Sequence, residues 1–235
     1  MRKRFWNGAH VVAEAEGYAV RLDARPLRLP SGDVLRPSGL ALAEAVAAEW
    51  NAAGGALGGS FGPHDVPLTA LAGTMQEHVV PAPEDAARRL VGFAQSDLLC
   101  YRAAEPEALA ALQEASWQPW LDWLHATHGV HLAVTYGLMP VAQPASVIVD
   151  LQRVVGGLPA PILTGLGVAV PALGSLVLGL ALAAGRMDAA EAFRLGRLDE
   201  TFQSSRWGVD QQAEAQAAQL GGDVAVAARF MALAA

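Results

Sequence analysis

The chain has 235 residues, is 53% hydrophobic and carries 16 basic against 23 acidic side chains, a net charge of −7, so it can bury a core without disulfide or metal staples. Residues 1–36 hold seven basic and four acidic side chains, net +3, while residues 37–235 hold nine and nineteen, net −10. An acidic body argues against a nucleic-acid groove, which needs clustered cations, and with Lys3 as the only lysine neither a P-loop lysine nor a Schiff-base lysine is available.

Residues 10–15 and 18–22 alternate as strands about a Glu16-Gly17 turn, and extended pieces at 27–30 and 34–36 flank Ser31-Gly32-Asp33, which predicts a small antiparallel sheet. Pro37-Ser38 offers an N-cap, and Ala43, Val46, Ala47 and Trp50 fall at helical spacing within 39–53. The glycine-rich stretch AAGGALGGSFGP, 52–63, reads as a mobile loop joining two domains, 1–66 and 67–235. Helices are then expected over 68–80, 83–95, 106–128, 145–155, 162–170, 174–184, 188–206, 210–220 and 223–234, with extended pieces at 98–101 and 131–136. The class is α+β: a small N-terminal antiparallel β-rich part with one helix, followed by a larger, mostly α-helical domain. The single cysteine, Cys100, cannot form an internal disulfide, and no apolar run of signal-peptide length follows MRKRFWNGAH. Both fit a reducing compartment, the bacterial cytoplasm or an organelle matrix.

Residues 154–185 carry no charge, and ILTGLGVAVPALGSLVLGLALAAG within them is long enough for a bilayer, which needs about 20 apolar residues. Pro171, the interspersed glycines and the lack of Trp or Tyr at either edge favour two short helices broken at Pro171 and buried in a helical domain.

Three constellations could carry chemistry. Gly58-Gly59-Ser60-Phe61-Gly62 matches the G-x-S-x-G nucleophile elbow, but a glycine-rich loop precedes it and Pro63-His64 follows, where a strand and a helix are required. His125, His128 and His131 would share one side of a continuous helix, within reach of a metal, yet Gly129 is expected to end the helix after His128. Asp199 and Glu200, with Asp210 beyond Trp207, could act as acid and base. Arg197, one turn before Glu200, makes an ordinary surface ion pair the plainer reading. A metal-dependent or acid-base hydrolase built on His125/His128/His131 or Asp199/Glu200 is thus the enzyme alternative. In SWQPWLDWLHATH, Trp117, Trp120, Leu121 and Leu124 form a packing stripe, whereas Trp123 lies off it and is a candidate anchor for a partner.

Eight segments are similar to one family. RFWNGAHVV, GYAVRLDARPLRLP, LALAEAVAAEW, DVPLTALAGT, QSDLLCYRA, WQPWLDW, GSLVLGLALAAG and LDETFQSSRWGVD occur in the order that resembles the assembly chaperones of the F-type ATP synthase catalytic head, the ATP-twelve family. Ala24 stands where that family usually has glycine. The resemblance implies a protein that is not an enzyme and uses no cofactor. It implies a chaperone, monomeric when free, that binds the unassembled alpha subunit, shields its beta-facing interface, and works in the bacterial cytoplasm or, for relatives, the mitochondrial matrix. Glu200, Gln203, Trp207 and Asp210 become the expected partner contacts, and Trp50 the structural support of the first helix.

Overall fold

In the computed structural model, which describes residues 2–15, 17–137, 139–208 and 210–234, β1 (Arg2–Lys3) leads into a hairpin of β2 (Ala9–Glu14) and β3 (Gly17–Leu22). Val11 faces Val20 and Ala13 faces Tyr18 across it, as the alternation requires. Glu16, in the expected turn, lies outside the described residues. β4 (Arg25–Pro26) adds a third antiparallel strand. At the β3–β4 turn Asp23, and not Ala24, takes the left-handed φ of +51°, so an alanine in place of the family's glycine is accommodated. The expected pieces at 27–30 and 34–36 contribute a single bridge, Arg28 to Val34.

Helix α1 (Leu40–Ala52) buries Leu42, Ala43, Val46, Ala47 and Trp50. Its N-cap is Gly39 without a side-chain bond, because Ser38 Oγ, expected to cap, donates to the Ala234 carbonyl instead. The stretch 52–63 folds as a set of hydrogen-bonded turns. The buried Arg4 guanidinium donates to the carbonyls of Trp6, Asn7, Asn51, Ala53 and Gly55, since a guanidinium out of water must find acceptors. Within these turns a Cβ on Gly59 would overlap the Gly54 carbonyl. β5 (Ser60–Phe61) then pairs with β1. The Glu49 carboxylate accepts from the amides of Leu68 and Thr69, capping α2 (Pro67–Thr74), which continues into a π-helical turn, Met75–Val79.

Next come α3 (Pro83–Gly92), short 3₁₀ turns, and β6 (Tyr101–Arg102) paired in parallel with β7 (Thr135–Tyr136). Between those strands α4 (Glu107–His128) runs through Pro119 and ends, as expected, at Gly129 with φ +71°. Then follow α5 (Ala145–Gly156), α6 (Ala160–Leu173), α7 (Leu176–Ala183), α8 (Ala189–Gly196), α9 (Leu198–Trp207) and α10 (Gln211–Ala234). Three expectations are corrected here. Pro171 does not break the apolar run. α6 continues past it, and the break falls at Gly174, φ +64°, and Ser175, whose side chain accepts from the Leu178 amide, a stronger stop and start signal. The predicted helix 188–206 is two, α8 and α9, because the backbone leaves the helix at Arg197 (φ −112°, ψ 18°). The predicted helices 210–220 and 223–234 are one, since alanine-rich flanks carry α10 through Gly221-Gly222.

No helix among the described residues is long and apolar enough to cross a membrane. α6 and α7 bury Leu163, Leu166, Leu173, Val177 and Leu178 to within 1% exposure. The chain divides into two compact units, Met1–Pro83 with Arg229–Ala235, and Glu84–Ala228. Secondary structure places it in the α+β class, with antiparallel strands at the N-terminus and helices dominating beyond.

Candidate partner-binding face

The last motif folds into α9 and the start of α10. Leu198, 5% exposed, anchors α9, and Asp199 beside it is fixed: the buried Gln113 takes the Ala103 amide on its Oε1 and donates from Nε2 to Asp199 at 2.7 Å. Loss of water around Asp199 raises its carboxyl above the ordinary value, against the pull of the Gln113 bond. That bonding makes Asp199 a structural tie between α4 and α9, a plainer role than acid or base beside Glu200. Glu200 is exposed and meets Arg197 at 3.6 Å, the i, i+3 pair read from spacing.

Glu200, Gln203 and Trp207 follow at i, i+3 and i+7 and so share one side of α9. Gly208, φ +93°, closes the helix. Asp210 Oδ1 then accepts from the Gln212 amide and its carbonyl from that of Glu214, so Asp210 opens α10. The side of α9 carrying these residues, the end of α8 and the first turns of α10 enclose a groove of about 650 Å³. Glu200, Gln203, Trp207 and Asp210 all line it, with Arg194 and Arg197 on one wall and Glu214 on another. Trp207 is 79% exposed, an unusual cost for an indole unless something covers it. Arg206 stacks over Phe202 at 4.4 Å.

Trp123 is not among the residues lining this groove. It is half-buried on α4, edge-on to Trp120 and to His128, and its Nε1 is buried with no acceptor among the described residues. Trp117 is fully buried, donating to the Leu195 carbonyl at 3.0 Å. His125 and His131 meet edge to face while His128 turns to Trp123. Among the described residues no group of three or more His, Cys, Asp or Glu could hold a metal ion. The metal-hydrolase alternative therefore loses its ligand set, because Gly129 turns the chain between His128 and His131. Ser60 lies within β5, accepting from Lys3 Nζ at 2.9 Å, and not on the sharp strand-to-helix turn that an elbow requires. Cys100 is buried, and loss of water pushes its thiol up to about 12. Trp50 is 7% exposed, donates to Thr69 Oγ1, accepts from Trp6 Nε1 on its carbonyl, and packs edge-on against Trp6 and Phe61.

Sequence reasoning missed the groove's other wall. Arg197 and Arg194 stand three and six residues before Glu200 and only Arg197 entered the sequence reading, as an ion-pair partner; the predicted 188–206 helix hid the break at Arg197 that separates α8 from α9.

These features define a class: an α+β protein whose exposed aromatic and charged groove suits the holding of another protein. A sequence profile of the family described as ATP12 chaperone protein matches residues 3–125. The crystal structure of Atp12 from Paracoccus denitrificans is 40% identical, superposes with a TM-score of 0.91, and is matched over 99% of this chain and 98% of that one. An aspartate-to-lysine variant of that protein gives the same values. The crystal structure of the Atu1473 protein from Agrobacterium tumefaciens is 31% identical, with a TM-score of 0.88, over 97% of this chain and 84% of that one. The chain belongs to the ATP12 chaperone family. It is a chaperone for ATP synthase assembly and not an enzyme.

Proposed function

We propose that the protein holds the unassembled alpha subunit of the F-type ATP synthase and covers the surface this subunit later presents to its beta neighbour. The observation that carries the reading is the convergence of Glu200, Gln203, Trp207 and Asp210 on one groove beside an uncovered indole. A large exposed aromatic ringed by charges of both signs is the composition of an interface centre, where tryptophan and arginine dominate binding energy. The charges set orientation and allow exchange for the true neighbour. Trp123 would add a peripheral contact on α4. The chaperone acts as a monomer when free, in the bacterial cytoplasm or, in relatives, the mitochondrial matrix. Co-expression with the cognate alpha subunit tests this: a soluble complex of the two is expected, and an alpha subunit equally soluble without the chaperone would overturn it.

A further inference from the structure

Two adjoining hollows of the first unit, of about 500 and 380 Å³, share Arg2, Leu27, Arg28, Trp50 and Phe61 in their walls and so form one groove. Its floor is apolar: Leu27, Trp50 and Phe61 are each at most 7% exposed, and Phe5 stands at the edge, 61% exposed. Exposed cations surround it, Arg2 and Lys3 from β1, Arg25 from β4, and Arg28 just beyond. Among the described residues the partners of Lys3 and Arg28 are neutral oxygens, Ser60 Oγ and the Gly32 carbonyl. Glu77, the acidic residue of the lining, is engaged by the Ser31 amide. Glu77 keeps its charge, so four cations face one carboxylate in the walls and the groove is net positive, on a chain whose residues 37–235 are net −10.

We propose that this groove is a second docking site, which takes an extended protein segment carrying carboxylates around a large apolar side chain. Carboxylates would meet the rim cations while the apolar side chain covers Phe5 and the floor, the combination of steering and anchoring that peptide grooves use. A long polyanion fits less well, because the acidic remainder of the chain repels it. The groove would take such a segment whichever subunit is held, so its failure would leave the alpha-subunit reading standing, and the reverse.

Full-length protein is titrated by fluorescence anisotropy against a labelled peptide of about ten residues alternating glutamate and phenylalanine. Saturable binding is expected. It should weaken about tenfold in Arg25→Glu/Arg28→Glu and in Phe5→Ser, each with an unchanged melting curve, and be unaffected by Glu200→Lys. Equal binding by these two groove variants, equal binding of a lysine–phenylalanine peptide, or tighter binding of a single-stranded oligonucleotide would each overturn the proposal.

Discussion

Arg4, 7% exposed, places its guanidinium among five backbone carbonyls drawn from the N-terminal strand region, the last turn of α1 and the turns after it. Arg4→Met keeps the volume and strands those acceptors, so unfolding free energy is expected to fall by about 3–5 kcal/mol in a denaturant titration. A loss under about 1 kcal/mol would mean water serves the carbonyls as well. In the second unit the fully buried Asp97 accepts from the Leu99 and Val177 amides and from Ser175 Oγ. Loss of water raises its carboxyl from the ordinary 3.8 to about 6, outweighing those donors. The folded protein therefore binds this proton more tightly than the unfolded chain. Its stabilisation is full below about pH 4 and is lost as pH rises through 6. Between pH 5 and pH 7 this amounts to about 1 kcal/mol, or about 2–4 °C in Tm. Wild type is expected to melt higher at pH 5, and Asp97→Asn to lose that difference; a difference that persists in the variant would assign it to other groups.

At the scale of elements, close helix approach explains why the uncharged run is rich in small residues. A Cβ on Gly179 of α7 would stand 2.6 Å from Val170 Cγ2 of α6, whereas one on Gly167 meets nothing within 4 Å. Gly179→Leu is expected to cost about 1–3 kcal/mol and Gly167→Ala to add up to about 1 kcal/mol, opposite signs that thermal melts resolve. Two-residue alternation made the β2–β3 hairpin legible in the sequence, and the buried spacing through Trp50 did the same for α1. The lack of charge in 154–185 was legible as core, but its break was not, because Pro171 is the more conspicuous residue while Gly174-Ser175 makes the turn. The break at Arg197 follows Gly196, which reads as a tolerated glycine inside an otherwise helical pattern. The i, i+3, i+7 side of α9 could therefore be read, while the walls that turn it into a groove could not. Arg4 and Asp97 were invisible because pairing with distant backbone has no local pattern.

Taken whole, the chain separates its charge, with a basic N-terminal stretch and an acidic remainder. The α9–α10 groove belongs to one compact unit and the basic hollow to the other, so a client could be held at two chemically distinct places. A chaperone of the ATP12 family has use for such places, since an unassembled subunit exposes an interface that must be covered and later released. The proposed contact at Glu200 is the sharpest point at which this account meets experiment. Glu200 is exposed and weakly paired with Arg197, so Glu200→Lys should lower Tm by no more than about 3 °C. The decisive measurement is the affinity of purified wild type and Glu200→Lys for the alpha subunit by titration calorimetry. Weakening of about tenfold or more with the melting curve preserved is expected from a lost interfacial charge; equal affinity would contradict the α9 face as the site that holds the subunit.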